Sequence, residues 1–171
     1  MCTLIETDRF VLRELGPDDA EEMYALNADP EVVRYTGNGP FASVEEARAF
    51  LESYDAYRVQ RMGRWGVIAK DGGSWLGWCG LKRDSHGEVD LGYRLHRRFW
   101  GRGVATETGA ASLEYGFGPL ALDRIVGRVL PENHASHRVL QKLGMRRVAD
   151  QVEDGVVWQV YALGADDRMG A

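Results

Sequence analysis

The sequence predicts a mixed α/β fold built as one domain, and three observations carry that reading. The chain has 171 residues and is 44% apolar and 27% charged, a globular composition, and its length falls within the about 100–200 residues of a single domain. Apolar residues recur with a period of two in some segments and near 3.6 in others. The segments run strand, two helices, three strands, helix, strand, helix, two strands, without the strict alternation of a doubly wound sheet. A chain of this size buries roughly 70% of the surface it exposes when unfolded, enough for a core without staples.

The elements follow in order, punctuated by 21 glycines. Residues 10–15 (FVLREL) read as a first strand, and Gly16-Pro17 opens a helix over 18–27 with Ala20, Met23, Tyr24 and Asn27 on one face. Ser43 and Glu46 form a capping-box pattern. Behind them Ala47, Phe50, Leu51 and Tyr54 fall at i, i+3, i+4, i+7, the stripe of an amphipathic helix. Residues 65–70 alternate as a strand, Asp71-Gly72-Gly73 supplies turn chemistry, and 75–81 return. A turn at 84–87 leads into a fourth strand, 88–95. A third helix covers 102–115, a fifth strand 125–130 ends at Pro131, and a fourth helix runs 133–143 with Gly144 as its left-handed cap. Residues 145–152 and 156–163 form a closing hairpin, and 164–171 read as a frayed tail.

Lys plus Arg total 21 against 26 Asp plus Glu, a formal charge of -5. That balance argues against general nucleic-acid binding, which needs a basic footprint, and favours cationic small substrates or peptide ends. Cys2 and Cys79 are too few for a disulfide framework and suit a reducing compartment. No apolar run approaches the ~20 residues that span a bilayer. The first residues, MCTLIE, lack the basic patch and apolar stretch of a signal peptide, so the expected location is cytoplasmic.

The chemistry concentrates in Tyr93-Arg94-Leu95-His96-Arg97-Arg98-Phe99-Trp100-Gly101-Arg102-Gly103-Val104-Ala105-Thr106. A strand feeds a turn with two glycines, and a helix starts inside the turn. Free N–H groups at a helix N-terminus favour an anion, and glycine lets backbone approach a phosphate. Arg97, Arg98 and Arg102 add positive charge near the mouth. A dinucleotide fingerprint fails because Thr106 stands where Gly or Ala is needed, and no Gly-Lys-Ser/Thr string makes a P-loop.

A second constellation follows about thirty residues on: Pro131-Glu132-Asn133-His134-Ala135-Ser136-His137-Arg138-Val139-Leu140-Gln141-Lys142-Leu143-Gly144-Met145. With Trp100-Gly101-Arg102-Gly103-Val104-Ala105, it resembles the GNAT superfamily of acetyl-CoA-dependent N-acetyltransferases. That family has a Gln/Arg-x-x-Gly-x-Gly/Ala pyrophosphate loop and an Asn-x-x-Ser helix start ending in Leu-Gly-Phe/Met. Trp100 in the first place and Asp90-Leu91-Gly92-Tyr93 look like the branch that acetylates ribosomal-protein N-termini, the RimJ/RimL type. The resemblance spans the chain from Leu12 to Tyr161.

The resemblance implies a single-domain GNAT fold, a mostly antiparallel sheet of about seven strands splayed between strands 4 and 5 and flanked by four helices. It implies acetyl-CoA in the splay, with no metal. The backbone of Tyr93, Arg94 and Leu95 would pair with pantetheine, and Gly101, Arg102, Gly103, Val104, Ala105 and Thr106 would hold the pyrophosphate. Gly92 fits either a bulge that opens the splay or a packing position. Asn133 would hydrogen-bond the pantetheine arm and Ser136 would assist the departing thiolate. As residues, they equally suit an N-cap and a satisfied helix start. Other branches place a tyrosine later in this helix where Leu140 stands, and some relatives place a catalytic Glu where Arg128 stands.

Glu88 and Asp90, two apart on one strand face, are candidates to relay a proton through water, or else a solvated face. Glu153 and Asp154 in the last hairpin are more distant candidates. His134 and His137 lack the further ligands of a zinc site and read as a solvated helix face. Trp65, Trp75 and Trp78 suit a core better than a substrate pocket. The loop before the Ser43 helix would border the acceptor. The implied acceptor is a primary amine, most naturally a protein or peptide N-terminal α-amine. A small-molecule amine (aminoglycoside, polyamine or amino-acid analogue) and a catalytically silent acyl-CoA sensor remain open alternatives. Dimers are common in the family.

Overall fold

Strand pairing places the glycine loop and the carboxylates around one gap in a sheet. The computed structural model describes residues 3–168, so Cys2 and residues 169–171 of the expected tail lie outside the described residues. Its strands are β1 (Thr3–Glu6), β2 (Phe10–Arg13), β3 (Arg64–Ala69), β4 (Trp75–Arg83), β5 (Val89–Leu95), β6 (Arg124–Val129), β7 (Arg146–Glu153) and β8 (Val156–Gly164). They form one eight-stranded sheet in the order β1-β2-β3-β4-β5-β6-β8-β7. The extra strand beyond the expected seven is β1, whose four residues carry too little alternation to register as a strand. The expected fourth and fifth strands are therefore β5 and β6.

The helices are α1 (Ala20–Ala28), α2 (Pro30–Val33), α3 (Val44–Ser53), α4 (Ala56–Gln60), α5 (Val104–Phe117), α6 (His134–Lys142) and α7 (Ala165–Arg168). The four longer helices answer to the expected ones, whereas α2, α4 and α7 are single turns below the length at which a periodicity shows. Part of the expected tail is thus ordered: Gly164 ends β8, and the Ala165 N–H donates to the Asp123 carbonyl at 2.9 Å.

Local chemistry explains the boundaries. Ser43 Oγ accepts from the Glu46 N–H at 3.2 Å, but Glu46 reaches back to the Ala42 N–H rather than to Ser43, so half of the capping box is realised. Gly144 sits at φ 80°, and the Met145 N–H returns to the Leu140 carbonyl at 3.0 Å, closing α6 in a Schellman-type cap. Asp154 and Gly155, at φ 51° and 79°, make the two-residue turn of the β7–β8 hairpin.

Two apolar clusters cover the two faces of the sheet. Trp75 joins Leu15, Met23, Leu26, Ala47 and Leu51 beneath α1 and α3. Its neighbour Leu76 joins Val104, Leu113, Ile125 and Leu140 beneath α5 and α6, as the pleat requires. Trp65 and Trp75 are core residues, as expected. The buried side of α5 runs through Val104, Thr108, Ser112 and Gly116. Thr108 and Ser112 hydroxyls donate to carbonyls one turn back, both at 2.8 Å, which makes burial of these polar residues tolerable.

The pairing of β4 with β5 is continuous over seven residue pairs, from Gly77↔Leu95 to Arg83↔Val89. By contrast β5 and β6 run parallel and meet at one residue pair, Asp90↔Val126. Beyond it the strands diverge. Gly92 lies in the regular stretch opposite Gly80, so it marks no bulge there. A Cβ on Gly92 would stand 2.6 Å from Arg64 Cζ, which makes it a packing glycine. The irregularity is one strand away, where β4 carries an extra residue against β3 and Gly77 takes φ 143°.

Candidate active site

The gap between β5 and β6 opens into a cavity of about 650 Å3, lined on one side by β5 and the glycine turn and on the other by β6 and α6. At one end lies the turn into α5. Gly101 and Gly103 hold φ of 71° and 75°, a left-handed backbone that glycine adopts without penalty. Gly103 is the N-cap of α5, and the first rung of the helical ladder is the Glu107 N–H on the Gly103 carbonyl at 3.0 Å. The N–H groups of Val104, Ala105 and Thr106 precede that rung and carry the positive end of the helix dipole. All three residues, with Gly101 and Gly103, line the cavity. Such a cradle is suited to an anionic group.

Arg102 departs from expectation. It is exposed and not among the lining residues, and its carbonyl accepts from Arg9 Nη1 at 3.0 Å. Arg9 also binds Glu107 through Nε at 2.6 Å and through its backbone N–H at 3.0 Å, while Thr7 Oγ1 donates to Glu107 at 2.7 Å. The β1–β2 turn therefore grips the loop and the first turn of α5. Burial works against the Glu107 carboxylate, but the bonds from Thr7 and Arg9 outweigh it and hold its pKa below the ordinary value.

The expected cationic mouth also differs. Arg97 pairs with Asp29 at 3.5 Å, Arg98 lies over the Phe99 ring, and neither lines the cavity. Arg138 and Lys142, four residues apart on α6, do. That i, i+4 spacing behind Asn133 was the available sequence signal. Trp100 donates its indole N–H to the Leu95 carbonyl at 2.8 Å, fastening the turn to the end of β5. Tyr93, Arg94 and Leu95 line the cavity, although the Leu95 carbonyl already has that indole as a partner.

Across the gap, Asn133 Oδ1 caps α6 by accepting from the Ser136 N–H at 3.2 Å. Its Nδ2 has no partner among the described residues, so the capping and ligand-binding readings are compatible. The Ser136 hydroxyl lines the cavity beside the Tyr93 phenol, with which it shares a hydrogen bond. The Tyr93 hydroxyl donates to the Ser136 carbonyl at 3.3 Å, and burial pushes its pKa up, so the phenol stays protonated as a strut between β5 and α6. Both ring nitrogens of His137 are engaged, one 2.9 Å from Tyr161 Oη and one 3.2 Å from the Leu130 carbonyl.

The carboxylates are where the geometry alters the expectation most. Glu88 does not line the cavity; it is held by Arg124 at 2.8 Å and Arg128 at 2.7 Å. Asp90 does line it, with Oδ2 on Arg64 Nη2 at 2.6 Å and Oδ1 3.7 Å from Arg128 Nη1. Both do face one way, toward arginines supplied by β3 and β6. Asp84 takes Arg128 at 2.8 Å, and Glu31 takes Arg34 at 3.6 Å. Glu153, at the tip of the last hairpin, is the lining carboxylate with no cationic partner among the described residues. Trp78 and Trp158 also line the cavity; Trp78 was expected in the core, and Trp158 carried no sequence signal.

Residues 9–146 match the family model for the acetyltransferase (GNAT) domain. The chain is 33% identical over 150 residues to the uncharacterized N-acetyltransferase YoaA of Bacillus subtilis (strain 168), covering 86% of this chain and 85% of that protein. An acetyltransferase of the GNAT family from Bacillus anthracis superposes with a TM-score of 0.80 at 25% identity, covering 95% of this chain and 98% of that one. Mycobacterium smegmatis RimJ, in complex with CoA-disulfide, superposes with a TM-score of 0.78 at 22% identity over 92% of this chain and 83% of that one. The sequence match runs from the Arg9 grip, through the glycine cradle and the splay, to the start of β7, and on that extent the chain belongs to the GNAT family of acetyl-CoA-dependent acetyltransferases.

Proposed function

We propose that this chain acetylates a primary amine of low basicity, with the N-terminal α-amine of a protein or peptide as its acceptor, in the manner of the RimJ/RimL branch. The observation that carries the acceptor reading is the state of the carboxylates: Asp84, Asp90 and Glu31 in the cavity are each already bound to a guanidinium. A carboxylate in that state gives up an ion pair to accept a proton. Glu153, the lining carboxylate with no cationic partner among the described residues, stands exposed at the hairpin tip, so the amine arrives largely neutral. An α-amine of pKa about 7.7–8.0 costs about 1 kcal/mol to deprotonate at neutral pH, whereas a lysine costs roughly 4.6 kcal/mol. The site suits the former.

Acetyl-CoA supplies an acyl group already activated as a thioester. The residues would act as follows. The N–H groups of Val104, Ala105 and Thr106 hold the pyrophosphate, with Arg138 and Lys142 as nearby cations. The β5 edge at Tyr93 and Arg94 lies along the arm, and Asn133 donates to it from Nδ2. The amine lone pair forms the new C–N bond as the C–S bond breaks, and the amine proton passes to water, with Asp90 or the unpaired Glu153 within the same cavity. Ser136 donates a hydrogen bond to the sulfur as its charge grows. Glu88 positions Arg128 rather than touching the reactants. The low cysteine count supports a cytoplasmic setting.

The test is thiol release from acetyl-CoA with matched peptides, one with a free N-terminus and blocked lysines, the other reversed. We expect the free N-terminus to react faster and kcat/KM to rise with pH as the amine loses its proton. Equal rates for the two peptides would refute the acceptor assignment, and no turnover with any amine would point to a silent acyl-CoA sensor.

A further inference from the structure

The face of β5 turned away from α5 holds an unusual charge. By the pleat, Leu91, Tyr93 and Leu95 face α5, and Asp90, Gly92 and Arg94 face the α1 and α3 side. Arg94 enters the cavity from there. One of its terminal nitrogens donates to the Asn27 side-chain carbonyl, and its guanidinium lies over the Trp78 ring at 5.3 Å. Its Nε is buried without a partner among the described residues. No carboxylate among the described residues pairs with it, whereas Arg64, over the same indole at 5.4 Å, has Asp90. Asn27 is itself 2% exposed and fastened to the Met23 carbonyl at 2.7 Å, so the guanidinium is held in place by the core of α1. Burial, with the charge of Arg64 added, pulls its pKa down to about 10, which still leaves it a cation at neutral pH.

A half-buried cation without a counterion is costly to maintain, and a planar guanidinium is matched to a carboxylate. We propose that Arg94 selects acceptors that carry a carboxylate near the reacting amine. The inference rests on the amine-acetyltransferase reading and narrows it. The same cavity offers Arg94 to the anionic end of such a ligand, and Glu153, the lining carboxylate with no cationic partner among the described residues, to its amine. The glycine cradle that serves the donor lies at the start of α5, on the other face of β5. The carboxylate has two sources: the α-carboxylate of a free amino acid, or an acidic side chain in the first residues of a peptide.

The experiment compares kcat/KM within matched pairs: free amino acids against their amides, and amidated peptides with Glu or Asp against Gln or Asn at the first two positions. The wild type should favour the carboxylate by about tenfold or more in at least one series, and the series that responds identifies the source. In Arg94→Gln that ratio should collapse toward one, chiefly through KM, and Arg94→Lys should retain part of it. No preference in the wild type, or a preference that survives in Arg94→Gln, overturns the proposal. So does a rise confined to the KM for acetyl-CoA, which would assign Arg94 to the donor. If no amine turns over, the enzymatic reading fails separately, and Arg94 is then judged by binding of an N-acetyl amino acid against its amide, read from tryptophan fluorescence. Selectivity for the acid that Arg94→Gln abolishes supports the proposal; equal binding overturns it.

Discussion

Replacing Gly103 with alanine tests the cradle with a magnitude fixed by the backbone. Gly103 sits at φ 75°, and a Cβ there would meet Arg9 Nη2 at 3.4 Å, an ordinary contact. The cost is therefore conformational, about 1–2 kcal/mol for a left-handed non-glycine residue, or about 2–8 °C in Tm for a chain of this size. Gly72 in the β3–β4 turn provides the matched control. It holds φ 72° with nothing within 4 Å of a Cβ, and it does not line the cavity. Gly72→Ala should lose similar stability and keep its affinity for acetyl-CoA. Gly103→Ala relieves its strain by rotating the peptide that heads the cradle, turning N–H groups away from the phosphate. Losing one charge-assisted hydrogen bond, about 1.5–3 kcal/mol, weakens the Kd by about 10- to 150-fold. Calorimetric titration and thermal melts on both variants supply the numbers. Equal losses of Tm with wild-type Kd in Gly103→Ala would show that the loop is only a strand-to-helix turn.

Two further outcomes follow from the site. Ser136→Ala should lower kcat by roughly 10- to 150-fold, the worth of a hydrogen bond to developing thiolate charge; unchanged kcat in steady-state assays, with a lower melting temperature from the lost Tyr93 contact, would make the hydroxyl structural. Glu107 has a folded pKa below its ordinary 4.5, so its contribution to stability is complete above that value and is lost as pH falls through the folded pKa. Glu107→Gln should thus melt below wild type near neutral pH, with the gap closing in acid, and a gap constant with pH would refute the Thr7–Arg9 grip.

What was legible in the sequence was what is local. The turn glycines, the α6 cap at Gly144 and the glycine loop depend on neighbours within a few residues, and each appears at the expected position. The parity of Glu88 and Asp90 was also readable, since a period of two places them on one face. What meets that face was not, because Arg64, Arg124 and Arg128 arrive from β3 and β6, strands far apart in sequence. Arg9 reaches Glu107 across 98 positions and Arg94 reaches Asn27 across 67, separations that no window detects. Short elements escaped for a different reason: β1 and α2 have four residues each, too few to show a period.

The single rung joining β5 to β6 gives the molecule a seam. Five strands lie on one side of it and three on the other, stitched by side chains: Asp90 and Glu88 to Arg128, and Tyr93 to the Ser136 carbonyl. A donor arm laid along β5, as proposed, would act there as a suture, adding cohesion where the ladder is thinnest. Saturation at a hundred times Kd is worth about 2.7 kcal/mol to the folded state, a sizeable fraction of what holds an ordinary domain together. In a cell, survival of the protein against proteolysis would thus follow the supply of its own donor, so that scarcity of acetyl groups thins out the enzyme that spends them.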